Sequence, residues 1–234
     1  MAWLPWIEDH LLENEVAALV SVADRAKIES VKDFNKNVID PFAALFEMVG
    51  FDFNIENWRK SEITRQAQKS LQNQIGNFHQ NILGSVRDWE NLKTKQVIDL
   101  KSDKRRTIAE IKNKYNTVSG GKLSDLYDSL DGLVSQKASK YKGYTAYYVA
   151  IIPKMPDRYN KTFTPSKKET GNKCPQNELI REIDGASFYS LVTGHDTALK
   201  DLFYILPQVI SKLFPEKGKI EQSELRRFFH LAYH

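Results

Sequence analysis

VIDLKSDKRRTIAEIKNKYNTV, residues 97–118, is the stretch on which the reading of this chain turns. Two runs of alternating apolar and polar residues flank the polar segment SDKRR, which predicts a β-hairpin over about 96–113 centred on Lys104–Arg105. In that register Leu100 meets Ala109 and Ile98 meets Ile111, an apolar face suited to the core. The period of two then sets Asp99 against Glu110 on the opposite face, with Lys112 on the same side. Directly opposed side chains have Cβ atoms about 5 Å apart, and like charges there are destabilising. Something must neutralise this pair.

The surrounding composition narrows what that is. The chain has 234 residues, 41% hydrophobic and 11% aromatic, enough for one domain with a sizeable core. A single cysteine, Cys174, excludes an intramolecular disulfide and a CxxC zinc site, and predicts a reducing, cytoplasmic setting. The acidic first residues, MAWLPWIEDHLLENE, do not read as a signal peptide, and no apolar run approaches the roughly 18 residues of a membrane span.

Net charge is +4, but its distribution is uneven. Residues 1–24 carry five acids and no Lys or Arg, residues 93–114 eight basic groups against three acids, and residues 154–173 six against two. Two basic stretches in a nearly balanced chain point to a polyanion such as nucleic acid, or to solvated loops.

Helical periodicity predicts helices at about 7–30 and 61–83. In DPFAALFEMVG, Asp40 is placed to cap, Pro41 to open and Gly50 to end a further helix. A helix over about 122–137 follows the hairpin. GYTAYYVAII (143–152), uncharged and rich in β-branched and aromatic residues, reads as a central strand buried on both faces. Residues 153–177 read as a long loop, and further helices are expected near 178–192, 196–214 (with Pro207 as a kink) and 223–233. That order predicts an α/β fold with a mixed sheet flanked by helices and a helical N-terminal region. The expected division is one domain: an extension over 1–35, a core over 37–194 and C-terminal helices over 195–234.

At the hairpin a divalent cation would relieve the Asp99–Glu110 repulsion. Mg²⁺ takes one or two carboxylates and keeps several waters. Lys112 would place a positive charge beside it for a phosphate oxygen or an attacking water. Such a set suits phosphodiester hydrolysis. The spacing by itself favours exposed cross-strand salt bridges over a metal site. P-loop, GxSxG and HExxH patterns are absent.

Asp99 and EIK (110–112) across a hairpin resemble the PD-(D/E)xK nuclease core, although Ile98 stands where the pattern's name has proline. The resemblance extends through NVIDPFAALFE (37–47), LQNQIGNFHQNILGSVRDWENL (71–92), AEIKNKYNTVSG (109–120), KASKYKGYTAYYVAIIPK (137–154), RYNKTFTPS (158–166) and NELIREIDGASFYSLVTG (177–194). These blocks resemble type II restriction endonucleases that recognise GGNCC or GGWCC. The resemblance implies a restriction-endonuclease-like fold and a homodimeric, Mg²⁺-dependent, prokaryotic cytoplasmic enzyme. It also implies cutting of both strands of double-stranded DNA to leave 5′-phosphates, with a cognate DNA methyltransferase as functional partner. By position, Asp99 and Glu110 would be metal ligands and Lys112 the catalytic lysine. Glu47, on a preceding helix, would be a further ligand.

DNA contacts are expected from Asn113, Lys114 and Asn116 at the end of the catalytic strand, and from Arg158, Lys161, Lys173 and Arg181 beyond it. Most such contacts go to phosphates rather than bases. His79, at the edge of an apolar stripe, reads as a packed helix histidine, with a metal or DNA role as the alternative. A repair or structure-specific nuclease, or a DNA-binding protein without activity, remain rival readings of the same residues.

Overall fold

The structure, a computed structural model, describes residues 2–36, 38–93, 97–217 and 221–233, without the side chains of Asn35 and Gly120. Asn37, at the expected start of the core, and Gln96, at the expected start of the hairpin, lie outside the described residues. Backbone contacts divide the chain into two units, Met1–Glu15 with His79–His234, and Val16–Phe78.

The second unit is helical. It holds most of α1 (Asp9–Lys32), all of α2 (Pro41–Gly50) and most of α3 (Ile55–Gly84). Asp40 caps α2 as its sequence position predicts, its carboxylate accepting from the amides of Phe42 and Ala43 (2.9 and 3.2 Å). Phe34 meets Trp58 edge-on at 6.2 Å, and Glu62, buried on α3, takes a forked pair of 2.6 Å bonds from Arg65.

The first unit carries a six-stranded mixed sheet in the order β1-β2-β3-β4-β6-β5. Its strands are β1 (Glu90–Asn91), β2 (Leu100–Ser102), β3 (Thr107–Lys114), β4 (Thr145–Ile152), β5 (Asn160–Thr162) and β6 (Ile180–Asp184). β1, β2 and β3 run antiparallel, β3, β4 and β6 parallel, and β5 closes the edge antiparallel to β6. The fold is therefore α/β, with β4 the central strand that its uncharged sequence predicts. Six of its eight residues are buried.

Helix α4 (Gly120–Ser135) crosses from β3 to β4 and lays Tyr127, Leu130 and Val134 into one cluster with Ile108, Ala146, Tyr148 and Ile180. Toward the other face α5 (Gly185–Thr193) sets Phe188 against Tyr147 and Trp89. α6 (Ala198–Leu213, with Pro207 inside it) and α7 (Gln222–Ala232) complete the unit. Tyr233, just past α7, donates its hydroxyl to the Ile151 carbonyl at 2.8 Å.

Two expectations fail here. Residues 178–192 are not one helix, because Ile180–Asp184 is a strand and only Gly185–Thr193 is helical. The segment LIREID has apolar spacing that fits a helix, but parallel pairing of Ile180 with Ala146 and Ile183 with Val149 buries both isoleucines at the sheet centre. The expected loop 153–177 likewise includes β5, paired to β6 by its three residues.

Candidate active site

The hairpin forms where it is predicted, with Leu100 opposite Ala109 and the turn at 103–106. The regular ladder stops at Leu100, however, and the expected Ile98–Ile111 pairing is not made. Ile98 instead joins Ile108 in the α4-side cluster. The cause lies at Asp99. Its amide donates to the Ala109 carbonyl (2.9 Å), its carbonyl accepts from Leu92 (2.8 Å), and its carboxylate Oδ2 accepts from the Ile111 amide (2.8 Å). A side-chain oxygen thus takes the place of a ladder carbonyl, which fixes the carboxylate beside β3.

On β3 the alternation sets Ile108, Glu110 and Lys112 on the α4-facing side. Glu110 is buried, and Lys112 Nζ donates to its Oε1 at 2.5 Å. Its second oxygen, Oε2, is buried with no hydrogen-bond partner among the described residues. Burial first, and then the nearby Asp99 carboxylate, push the Glu110 carboxyl up to about 8 against the lowering effect of Lys112. Asp99, Glu110 and Lys112 are therefore brought together. Two carboxylates converge beside Lys112.

A buried acceptor without a donor is costly, of the order of 1–3 kcal/mol or more for a charged group. A proton relieves it, which is what the raised carboxyl expresses. So does a hard cation: carboxylate oxygens beside a half-buried lysine fit Mg²⁺, which uses one or two protein carboxylates and water. Among the described residues no cluster of three or more His, Cys, Asp or Glu side chains is placed to hold a metal alone. The donor set therefore suits an ion that shares its coordination with water and a phosphate.

Glu47 lies on α2 in the helical unit, where its Oε2 accepts from the Trp58 indole at 2.9 Å. His79 is partly buried: its Nδ1 meets the Tyr189 hydroxyl at 2.8 Å and burial lowers its pKa to about 4, the neutral helix histidine that its position suggests.

The expected DNA contacts fall into two groups. Asn113 and the exposed Lys114 end β3, and Asn116 occupies the turn after it. Arg158, Lys161 and Arg181 gather at the far edge, on or beside β5 and β6. With neighbouring strands about 4.8 Å apart, these strands stand about 10–15 Å from β3. Arg158 donates to Ser187 Oγ and to the carbonyls of Ala186 and Asp196, and Arg181 to the Asn160 side chain and carbonyl. Both bind internal partners here. Lys161 pairs with Glu182 at 3.0 Å. Lys173 is exposed and bridges Ser166 in the loop after β5.

The sequence reading passes over one feature. Register aligns Glu110, Tyr148, Glu182 and Lys161 in a single row across β3, β4, β6 and β5. The Tyr148 hydroxyl is buried without a partner among the described residues. Burial, Glu182 and Glu110 hold its pKa up to about 12. Only the parallel register reveals this row, and no local spacing encodes it.

Comparison with known proteins agrees with this architecture. The family described as Eco47II restriction endonuclease matches residues 4–215. The type II restriction enzyme Eco47II of Escherichia coli is 48% identical over 239 residues, covering 100% of both chains. The type II restriction enzyme Sau96I of Staphylococcus aureus is 30% identical over 201 residues, covering 85% of this chain and 76% of that enzyme. No helix among the described residues is long and apolar enough to cross a membrane. A match over nearly the whole sequence, on an α/β sheet of the PD-(D/E)xK type, means that the chain belongs to the Eco47II restriction endonuclease family and is a type II site-specific deoxyribonuclease.

Proposed function

We propose that the protein is a Mg²⁺-dependent homodimer that cuts both strands of duplex DNA at a short palindromic site of the GGNCC or GGWCC type. The products carry 5′-phosphates, and a cognate DNA methyltransferase protects the host's own sites. The observation that carries the reading is the buried Glu110 Oε2, which no described residue donates to, beside Asp99 and Lys112. The sequence blocks shared with enzymes of that specificity support the choice of site.

When bound at these carboxylates, Mg²⁺ supplies charge to the phosphate oxygens and acidity to a water. The chain's own groups do the rest. Asp99 is held in line by the Ile111 amide, so its carboxylate needs no reordering when DNA arrives. Glu110 offers Oε2. Lys112 exchanges its bond to Glu110 Oε1 for a non-bridging phosphate oxygen or the attacking water, orienting the nucleophile in line with the P–O3′ bond. The water oxygen bonds to phosphorus as the P–O3′ bond breaks. The proton the water loses passes to bulk water, the leaving 3′-oxygen takes one from bulk water to become a hydroxyl, and the phosphate stays on the 5′ end. Glu47 belongs to the proposal as a supplementary carboxylate. Lys114, Arg158, Lys161, Lys173 and Arg181 are assigned to the DNA with Asn113 and Asn116, mostly to phosphates.

Digestion of plasmid DNA with Mg²⁺, followed by sequencing of the ends, tests this. The expected result is a discrete set of cuts at one short symmetric sequence with ligatable 5′-phosphates. Random ends, or cutting confined to damaged or branched DNA, would overturn it in favour of a repair nuclease.

A further inference from the structure

Helix α2 has the composition of a core helix and the exposure of a surface helix. Of its ten residues, PFAALFEMVG, none is buried. Phe42, Leu45, Phe46 and Val49 follow the i, i+3, i+4, i+7 spacing of one helical stripe and are 73%, 53%, 71% and 75% exposed. Phe51 and Ile55, which follow in the chain, are 65% and 63% exposed. On the other side of α2, Asp40, Ala43, Ala44 and Glu47 line a cavity of about 810 Å³ within the same helical unit. The apolar stripe therefore points away from the unit that carries it. A ten-residue helix is shorter than the roughly 12–15 residues needed for marginal stability alone, so its stability must come from packing.

We propose that this stripe is the surface on which two copies of the chain associate, an inference that rests on the homodimer reading above. Three features of this surface select a second copy. The first is area. The six side chains present roughly 600–700 Å² of apolar surface together. As a sum over the six residues it approaches the 800 Å² or so that each partner contributes to a standard interface. The second is charge. Glu47 is the only ionisable residue of α2 and lies on the cavity side, so the stripe Phe42, Leu45, Phe46 and Val49 is uncharged and offers a polyanion nothing, and the exposed acids Asp52 and Glu56 lie beyond its end. The third is symmetry. A two-fold contact must be self-complementary, and an uncharged stripe of Phe, Leu and Val meets that condition in either helix direction. One hairpin centre per chain and two strands to cut require two copies.

The test is sedimentation equilibrium of the full-length protein. The wild type is compared with Phe46→Asp, with Val49→Asp, and with Phe228→Asp on α7, an exposed phenylalanine of the other unit. Phe46 and Val49 are exposed, and circular dichroism checks that the variants are folded. Wild type and Phe228→Asp are expected to be dimers of equal affinity. Each α2 variant should be loosened at least thirtyfold per copy, about a thousandfold for the symmetric pair. Hydrogen exchange on the wild type gives a reading free of variants, with the α2 amides after Pro41 becoming protected as concentration rises through the dissociation constant. A dimeric wild type whose α2 variants dimerise equally well, or whose α2 amides exchange independently of concentration, overturns the assignment of the surface and leaves the homodimer standing. A monomeric wild type with and without DNA overturns the homodimer itself.

Discussion

Gly185 offers the sharpest structural test of the sheet that carries the candidate site. It follows β6 and opens α5, and there its backbone passes against β4. A Cβ built on it lies 2.3 Å from the Ile151 carbonyl oxygen, 2.7 Å from Ile151 Cα and 2.9 Å from Ile151 C. All three are main-chain atoms of a strand paired on both sides, so no side chain can swing away. Gly185→Ala therefore needs a movement of about 0.7 Å at the oxygen merely to reach 3.0 Å, in close-packed surroundings. The same oxygen accepts the Tyr233 hydroxyl, and that bond moves with it. Overpacking of about 1–3 kcal/mol plus about 1 kcal/mol for the hydrogen bond gives a loss of about 2–4 kcal/mol. For a chain of this size the melting temperature falls by about 5–15 °C. Gly76→Ala is the matched control. Gly76 lies inside α3 with nothing within 4 Å of its Cβ position, so alanine there gains about 0.5–1 kcal/mol. Urea unfolding of the three proteins, with midpoint and slope both fitted, measures the difference. A Gly185→Ala protein as stable as wild type would refute the close approach of β6 and α5 to β4.

Two further predictions concern buried carboxylates. In protein stripped of metal by a chelator, Glu110 holds a proton up to about pH 8, whereas the unfolded chain releases it near 4.5. The folded form binds more protons across that window, so stability falls as pH rises through it. Glu110→Gln should remove this fall, and urea midpoints at pH 5 and 8 that fall equally in both proteins would contradict it. Asp184, 1% exposed, accepts from the Ser187 amide at the start of α5 (2.9 Å) and from the Tyr159 amide (2.7 Å). Asp184→Ala should cost about 2–4 kcal/mol by losing the cap and stranding a donor, while Asp184→Asn recovers part of the loss; equal stability of Ala and Asn would refute that.

What the sequence disclosed follows the range of the interactions involved. The hairpin turn, the α2 cap and the buried strand 145–152 depend on neighbours in the chain, and the residues themselves encode them. The convergence of Asp99, Glu110 and Lys112 was legible too, through the alternation of the hairpin. Its detail was not, because Asp99 substitutes its carboxylate for a ladder carbonyl and Ile98 turns to the α4 side. The strand at 180–184 was hidden, since its apolar spacing suits a helix until β4 is beside it. The Glu110–Tyr148–Glu182–Lys161 row depends on two parallel crossovers, and so leaves no local trace. The two-faced character of α2 lay in its composition, yet only the placement of Asp40 and Glu47 on the cavity side shows which face is left bare.

The central claim is that Asp99, Glu110 and Lys112 form the centre that cuts. Single-turnover cleavage of one cognate duplex with Mg²⁺ tests it in wild type, Asp99→Asn and Lys112→Ala, with binding to the same duplex measured in Ca²⁺. The account predicts a loss of at least a hundredfold in cleavage rate for each variant, of the order expected when a preorganised electrostatic group is removed, with folding and duplex binding retained. A variant that binds and cuts at the wild-type rate would contradict it.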